Sequence, residues 1–180
     1  QAETNMECHV LLDKSASMGY EPATVADRFM TKFEYSTAIA AALGYLMTRQ
    51  QDAVGLVTFD MKIRNYIRPR AKRSHLANLL SELSRTQTYG ATDVSGCIHD
   101  AVRLFRKRGL VVILSDFLDD PDRIEKALSH VQYEGHDCIV FHVLDAVEAN
   151  FPFEGPMSFV EPETGARLTV DSDAVRGDYL

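Results

Sequence analysis

Apolar and polar positions follow two rhythms along this chain. Cys8–Asp13 (CHVLLD), Ala53–Phe59 and Gly109–Leu114 (GLVVIL) are short runs with almost no polar alternation. That is the pattern of strands covered on both faces. Between them the period lengthens. Tyr35, Ala38, Ile39, Ala42, Leu43, Leu46 and Met47 recur at helical spacing and predict a helix over Lys32–Gln50. Ser74 reads as the N-cap of a helix through Leu83. Val94–Lys107 places Ile98, Val102 and Phe105 on one helical face, and Pro121 opens a helix through Tyr133. Ile63–Arg68 alternates as a strand ended by Pro69. Asp137–Leu144 is the last core strand. Residues 19–31, with Gly19 and Pro22, read as a loop, and Tyr89–Asp93 as a turn.

Strands alternating with helices predict an α/β domain with a central, mostly parallel sheet and helices on both faces. The short strand around Ile63–Arg68 is expected as one antiparallel edge. Beyond the core, Ser158–Glu161 and Arg167–Val170 flank the turn Pro162-Glu163-Thr164-Gly165 and predict a hairpin.

The 180 residues suit one domain with modest extras, large enough to fold without a disulfide or metal staple. Ordinary apolar and charged fractions, 46% and 25%, exclude disordered, collagen-like and coiled-coil classes. The three cysteines, Cys8, Cys97 and Cys138, are odd in number, widely spaced and set in apolar runs. They read as buried thiols in a reducing, cytoplasmic compartment. No run approaches the ~20 apolar residues that span a bilayer, and no signal peptide is evident. The chain begins on Gln1 and enters a strand almost at once, so a piece of a longer protein is expected. The net charge of −7 argues against a nucleic-acid partner, and it is unevenly spread. Residues 1–115 hold 15 basic and 11 acidic side chains; residues 116–180 hold 4 and 15.

Sites in open α/β sheets form at the carboxyl ends of strands. Asp13-Lys14-Ser15-Ala16-Ser17 follows the first strand, Ser115-Asp116 follows the GLVVIL strand, and Gly90-Ala91-Thr92 precedes the Val94 helix. All three loops are expected on one rim. They offer only oxygen, the donor that hard cations such as Mg²⁺ require. In Asp13-x-Ser15-x-Ser17, alternate side chains of an extended turn can point at one centre. If hydroxyls bind directly and carboxylates act through water, the ion stays electrophilic and a partner's carboxylate can complete its shell. No nucleophile or general base accompanies this set, so it reads as a binding device. Asp116, Asp119, Asp120 and Asp122 are expected beside it, favouring cation capture.

The order Asp13-x-Ser15-x-Ser17, Thr92, Asp116 resembles the metal-ion-dependent adhesion site (MIDAS) of von Willebrand factor A (vWA) domains. The strings LLDKSASMGY, AAALGYL, RGLVVILSDFLDD, HVLD and FPFEG resemble more specifically the bacterial "domain of unknown function 58" branch, whose members resemble partners of MoxR-type AAA+ ATPases. The resemblance implies a Rossmann-like vWA fold over residues 1–147. Residues 148–180 would be a C-terminal extension whose hairpin packs on the same domain. It implies Mg²⁺, or Mn²⁺ or Ca²⁺, facing Ser15, Ser17 and Thr92, with Asp13 and Asp116 holding it through water or hydrogen bonds. The implied function is a non-enzymatic, cation-dependent protein-interaction module. It would bind an acidic residue of a protein partner and act with a MoxR-type ATPase in assembly or maturation of other complexes. Family members carry an amino-terminal region before the A domain, absent from this chain.

Two rival readings of the site are a Mg²⁺-dependent phosphohydrolase and a scaffold with an empty site. The phosphohydrolase reading needs Asp-x-Asp, and the second position here is Ser15. The basic stretch Lys62–Arg73 has only Tyr66 as an interleaved aromatic, so it reads as a charge-protected edge strand. An acidic protein partner is the next reading of that stretch. Arg103, Arg106, Lys107 and Arg108 suit a helix C-terminus. Arg176-Gly177-Asp178 reads as a chance tripeptide, and the six histidines as structural or surface residues.

Overall fold

The computed structural model describes residues 6–20, 30–160, 165–172, 174 and 177. Strands β1 (Glu7–Asp13), β2 (Ala53–Phe59), β3 (Ile63–Arg70), β4 (Gly109–Ser115) and β5 (Asp137–His142) form one sheet in the order β3-β2-β1-β4-β5. β1 pairs parallel with both β2 and β4, β4 pairs parallel with β5, and β3 pairs antiparallel with β2 at the edge. This is the Rossmann-like α/β arrangement expected, with one antiparallel edge strand.

The apolar runs on β1 and β4 are buried on both faces, and adjacent residues go to opposite cores. Cys8, Val10 and Leu12 of β1, with Val112 and Leu114 of β4, meet Phe33, Ala40 and Met47 of α1 (Lys32–Arg49) and Leu79 and Leu83 of α2 (Arg73–Arg85). Leu11, Val111 and Ile113 meet Val94, Ile98 and Val102 of α3 (Val94–Leu104) and Ala127 and Val131 of α4 (Pro121–Tyr133). With helices on both faces, neither side of the central strands meets solvent, which is why these strands show no polar alternation.

The expected elements form, with shifted ends. α2 starts at Arg73 with extended Lys72 as its cap residue, so Ser74 lies inside the helix and caps nothing. Pro69 does not end β3, which continues to Arg70. The proline sits on an edge strand beside a register irregularity between Val54 and Leu56, where no ladder N–H is needed. α3 stops at Leu104 because Phe105 turns extended and packs against the α3–α4 core. The hairpin forms as β6 (Pro156–Val160) and β7 (Arg167–Asp171); turn residues 161–164 lie outside the described residues, as do Arg176 and Asp178 of the tripeptide. A short helix, α5 (Ala146–Asn150), was not expected; Asp145 and Glu148 close a capping box around its start. The basic Arg64, Arg68 and Arg70 do lie on the edge strand, and Cys8 and Cys97 are buried free thiols while Cys138 is part-buried.

α1 is begun by a reciprocal cap. Thr31 Oγ1 accepts from Glu34 N at 3.0 Å, and Glu34 Oε2 accepts from Thr31 N at 2.7 Å. Thr31→Ala is expected to cost about 1 kcal/mol of stability, read as a lower urea midpoint at unchanged slope; an unchanged midpoint would show that the cap is not what starts this helix.

Candidate metal site at the carboxyl edge of the sheet

β1 lies where the chain's strand order reverses: β2 and β3 go to one side of it, β4 and β5 to the other. The loops after β1 and β4 therefore diverge and leave a crevice between them. The parallel register carries Asp13 and Ser115 to the same rim, and they bond there. Ser115 Oγ donates to Asp13 Oδ2 at 2.6 Å, while Ser15 N donates to Asp13 Oδ1 at 2.9 Å. Both Asp13 oxygens are thus engaged by this chain, and the carboxylate is fully buried.

The loop after β1 is held from three directions. Lys14 N donates to Phe59 O at 2.8 Å at the end of β2. Ala16 N donates to Gly90 O at 2.8 Å, and Tyr89 N to Lys14 O at 2.9 Å, stitching this loop to the one that carries Thr92. Met18, in the 3₁₀ turn Ala16–Gly19, drops its side chain into the core on the α1 side. That anchor fixes Ser15 and Ser17, both buried, with their hydroxyls 3.1 Å apart. After β4 the backbone turns sharply. Phe117 takes a left-handed φ of 53°, rare for a bulky residue, and its N–H donates to Ser115 Oγ at 2.9 Å. Asp116 is thereby buried at the rim.

Asp13, Ser15, Ser17, Thr92 and Asp116 thus lie on three loops joined by direct hydrogen bonds. Two of their oxygens, Thr92 Oγ1 and Asp116 Oδ1, are buried without a hydrogen-bond partner among the described residues. Buried polar atoms are ordinarily paired; ten side-chain atoms among the described residues are not, and these two lie on the rim that holds the Ser15 and Ser17 hydroxyls. Among the described residues no three His, Cys, Asp or Glu side chains cluster as a metal site. The donor set is built of hydroxyls with two flanking carboxylates, which suits a hard cation that keeps part of its water.

The sequence places Ser115 on this rim without giving it a role, and it does not point to Lys32 or Glu148. Ser115 orients Asp13. Lys32, at the first position of α1, gives its Nζ to Asp116 Oδ2 at 2.9 Å and to Glu148 Oε1 at 2.7 Å. Burial disfavours its charge, but Asp116 and then Glu148 outweigh that and hold its pKa above the usual lysine value. The one signal for Lys32 was a cation at a helix N-terminus, where the macrodipole disfavours it. The acidic run also has local tasks within the chain. Asp119 accepts from Ser95 N at 3.0 Å and pairs with Arg123, which also binds Asp93, and Asp120 caps α4. These contacts seat α3 and α4, with Arg123 shared between Asp93 and Asp119.

Burial raises the Asp13 carboxyl from 3.8 to about 6, with the Ser115 and Ser15 hydrogen bonds opposing and the Asp116 charge adding to the rise. The folded state therefore binds this proton more tightly than the unfolded chain does. Without a cation, stability falls as pH rises from about 4 through 6, by about 3 kcal/mol in total. Asp13→Asn removes that charge and forfeits about 1 kcal/mol of hydrogen bonding to Ser115. In chelator the variant is expected to be about 2 kcal/mol more stable than wild type at pH 7.5 and equal to it at pH 4.5. Thermal melts at both pH values check this; a stability difference of the same size and sign at both would contradict it.

No helix among the described residues is long and apolar enough to cross a membrane. The fold is similar to that of an aerotolerance-related membrane protein from Bacteroides fragilis, with a TM-score of 0.64, 17% identity, and 97% of this chain and 85% of that one covered. It is also similar to the conserved hypothetical protein BatB from Bacteroides thetaiotaomicron, with a TM-score of 0.61, 13% identity, and 97% and 84% covered. In sequence, uncharacterized proteins of Mycobacterium tuberculosis and Mycobacterium bovis are 25% identical over 183 residues, covering 99% of this chain. The chain spans 55% of the length of these curated relatives. The model of DUF58, a protein family of unknown function, matches residues 1–180, and the chain belongs to that family.

Proposed function

We propose that this domain is a non-enzymatic, divalent-cation-dependent protein-interaction module. The observation that carries the reading is the pair of buried, unpartnered oxygens, Thr92 Oγ1 and Asp116 Oδ1, on the rim that also holds the Ser15 and Ser17 hydroxyls. Ser15, Ser17 and Thr92 would hold Mg²⁺ (or Mn²⁺ or Ca²⁺), with Asp13 and Asp116 acting through water or through hydrogen bonds. The bound ion supplies an electrophilic position for an acidic side chain of a protein partner. The chain's own residues do the remaining work: Ser115 fixes Asp13, Met18 seats the serine turn, and the Gly90–Ala16 bond keeps Thr92 beside it.

The engagement of both Asp13 oxygens weighs against phosphohydrolysis. Those contacts hold the carboxylate in place inside the rim, and the position two residues on is Ser15, which does not supply the carboxylic general acid that such chemistry uses. The partner we propose is a MoxR-type AAA+ ATPase, with the pair serving assembly or maturation of other complexes. Membership of DUF58 and the resemblance of the LLDKSASMGY and RGLVVILSDFLDD strings support that choice.

Mg²⁺ at millimolar concentration is expected to raise the melting temperature of wild type relative to chelator. It is also expected to be required for retention of the ATPase in a pulldown with the full-length protein. Asp13→Ala should lose both effects while remaining folded by circular dichroism. A wild-type melt and pulldown indifferent to Mg²⁺ would leave only the scaffold with an empty site. Phosphatase activity abolished by Asp13→Asn would establish the hydrolase instead.

A further inference from the structure

Among the described residues Lys32 is the only buried lysine, its side chain 2% exposed. An ammonium is buried only at a large desolvation cost unless it is paired, and this one is paired on two sides. The Thr31–Glu34 capping box fixes the backbone from which it springs. Glu148 is fixed as well: its Oε2 accepts from Asp145 N at 2.8 Å, which leaves Oε1 for Lys32. Lys32 takes only Oδ2 of Asp116. Oδ1 stays unpartnered, and so does Thr92 Oγ1, which the ammonium does not reach. The cation of this chain thus sits against one oxygen of Asp116 while the other oxygen is left for the rim.

We propose that Lys32 is a built-in counter-cation that sets how tightly the rim holds a divalent ion. It orients Asp116 with Oδ1 free and cancels much of that carboxylate's charge. Glu148, from α5, draws part of the ammonium's charge away again. This rests on the cation-site reading above. The physical consequence has two opposite signs. With Lys32 neutral, a divalent ion meets the full Asp116 charge and binds more tightly. With Glu148 neutral, the ammonium leans on Asp116 alone and the ion binds more weakly. A residue whose role was only structural would loosen the site in both variants.

The test is Mn²⁺ binding to the full chain, by calorimetry and by the loss of the free-ion paramagnetic resonance signal, for wild type, Lys32→Met and Glu148→Gln. Lys32→Met is expected to lower the Mn²⁺ Kd by about tenfold, and Glu148→Gln to raise it by about threefold. If Lys32→Met alone does not fold, the double variant Lys32→Met/Glu148→Gln relieves the unpaired carboxylate and is still expected to bind more tightly than wild type. Unchanged affinity in Lys32→Met, or weaker binding in both single variants, overturns the proposal while leaving the cation site intact. A wild-type chain that binds no Mn²⁺ overturns the cation-site reading itself, and this inference with it.

Discussion

The hydrogen bond from Ser115 to Asp13 is the contact on which the candidate site depends. It closes the end of the parallel β1–β4 pair, where the chain's two halves part. A shift of one residue in that register would turn Asp13 away from Ser115 and exchange the residues facing α1 and α2 with those facing α3 and α4. The apolar residues forbid the shift: Leu12 of β1 and Leu114 of β4 are buried against α1 and α2, Leu11 and Ile113 against α3 and α4. The apolar cores therefore fix the register, the register brings the two loops together, and the loops carry the polar chemistry.

Charge at the rim is arranged in layers. Asp13 is fully buried, and burial holds its carboxyl high, at about 6, against the hydrogen bonds from Ser115 and Ser15 that pull it down. Asp116 is buried against an ammonium on one side only. The more exposed acids, Asp119 and Asp120, are engaged in seating α3 and α4. An ion arriving here would meet hydroxyls and one half-neutralised carboxylate, a set that holds it without saturating it. That is the condition under which a partner's carboxylate can add to its shell. α5 enters the same network through Glu148, so a segment beyond the last sheet strand is electrically tied to the rim.

Much of this was legible in the sequence. Apolar runs without alternation marked strands covered on both faces, and the alternation of element types marked a parallel sheet. The carboxyl-end rule then placed Asp13, Ser15, Ser17, Thr92 and Asp116 together before any distance was known. What escaped had specific causes. Ser74 looked like a cap by residue type, but capping depends on backbone angles, and the extended residue is Lys72. Pro69 looked like a strand end, but an edge strand with an irregular register tolerates proline. Lys32 and Glu148 lie 84 and 32 residues from Asp116 in a chain of 180. No local periodicity links them, since their pairing exists only once α1 and α5 are docked. For the run of acids after Asp116, sequence shows the charge but not the N–H groups and Arg123 that engage Asp119 and Asp120.

The central claim is that the rim holds a divalent cation through Ser15, Ser17 and Thr92. Crystals grown with Mn²⁺ and measured on both sides of the manganese absorption edge test it most directly. The expected result is one anomalous peak at the carboxyl edge of β1 and β4, within coordination distance of all three hydroxyls. A rim without such a peak in crystals of well-folded protein, or a peak only at other carboxylates, would contradict it.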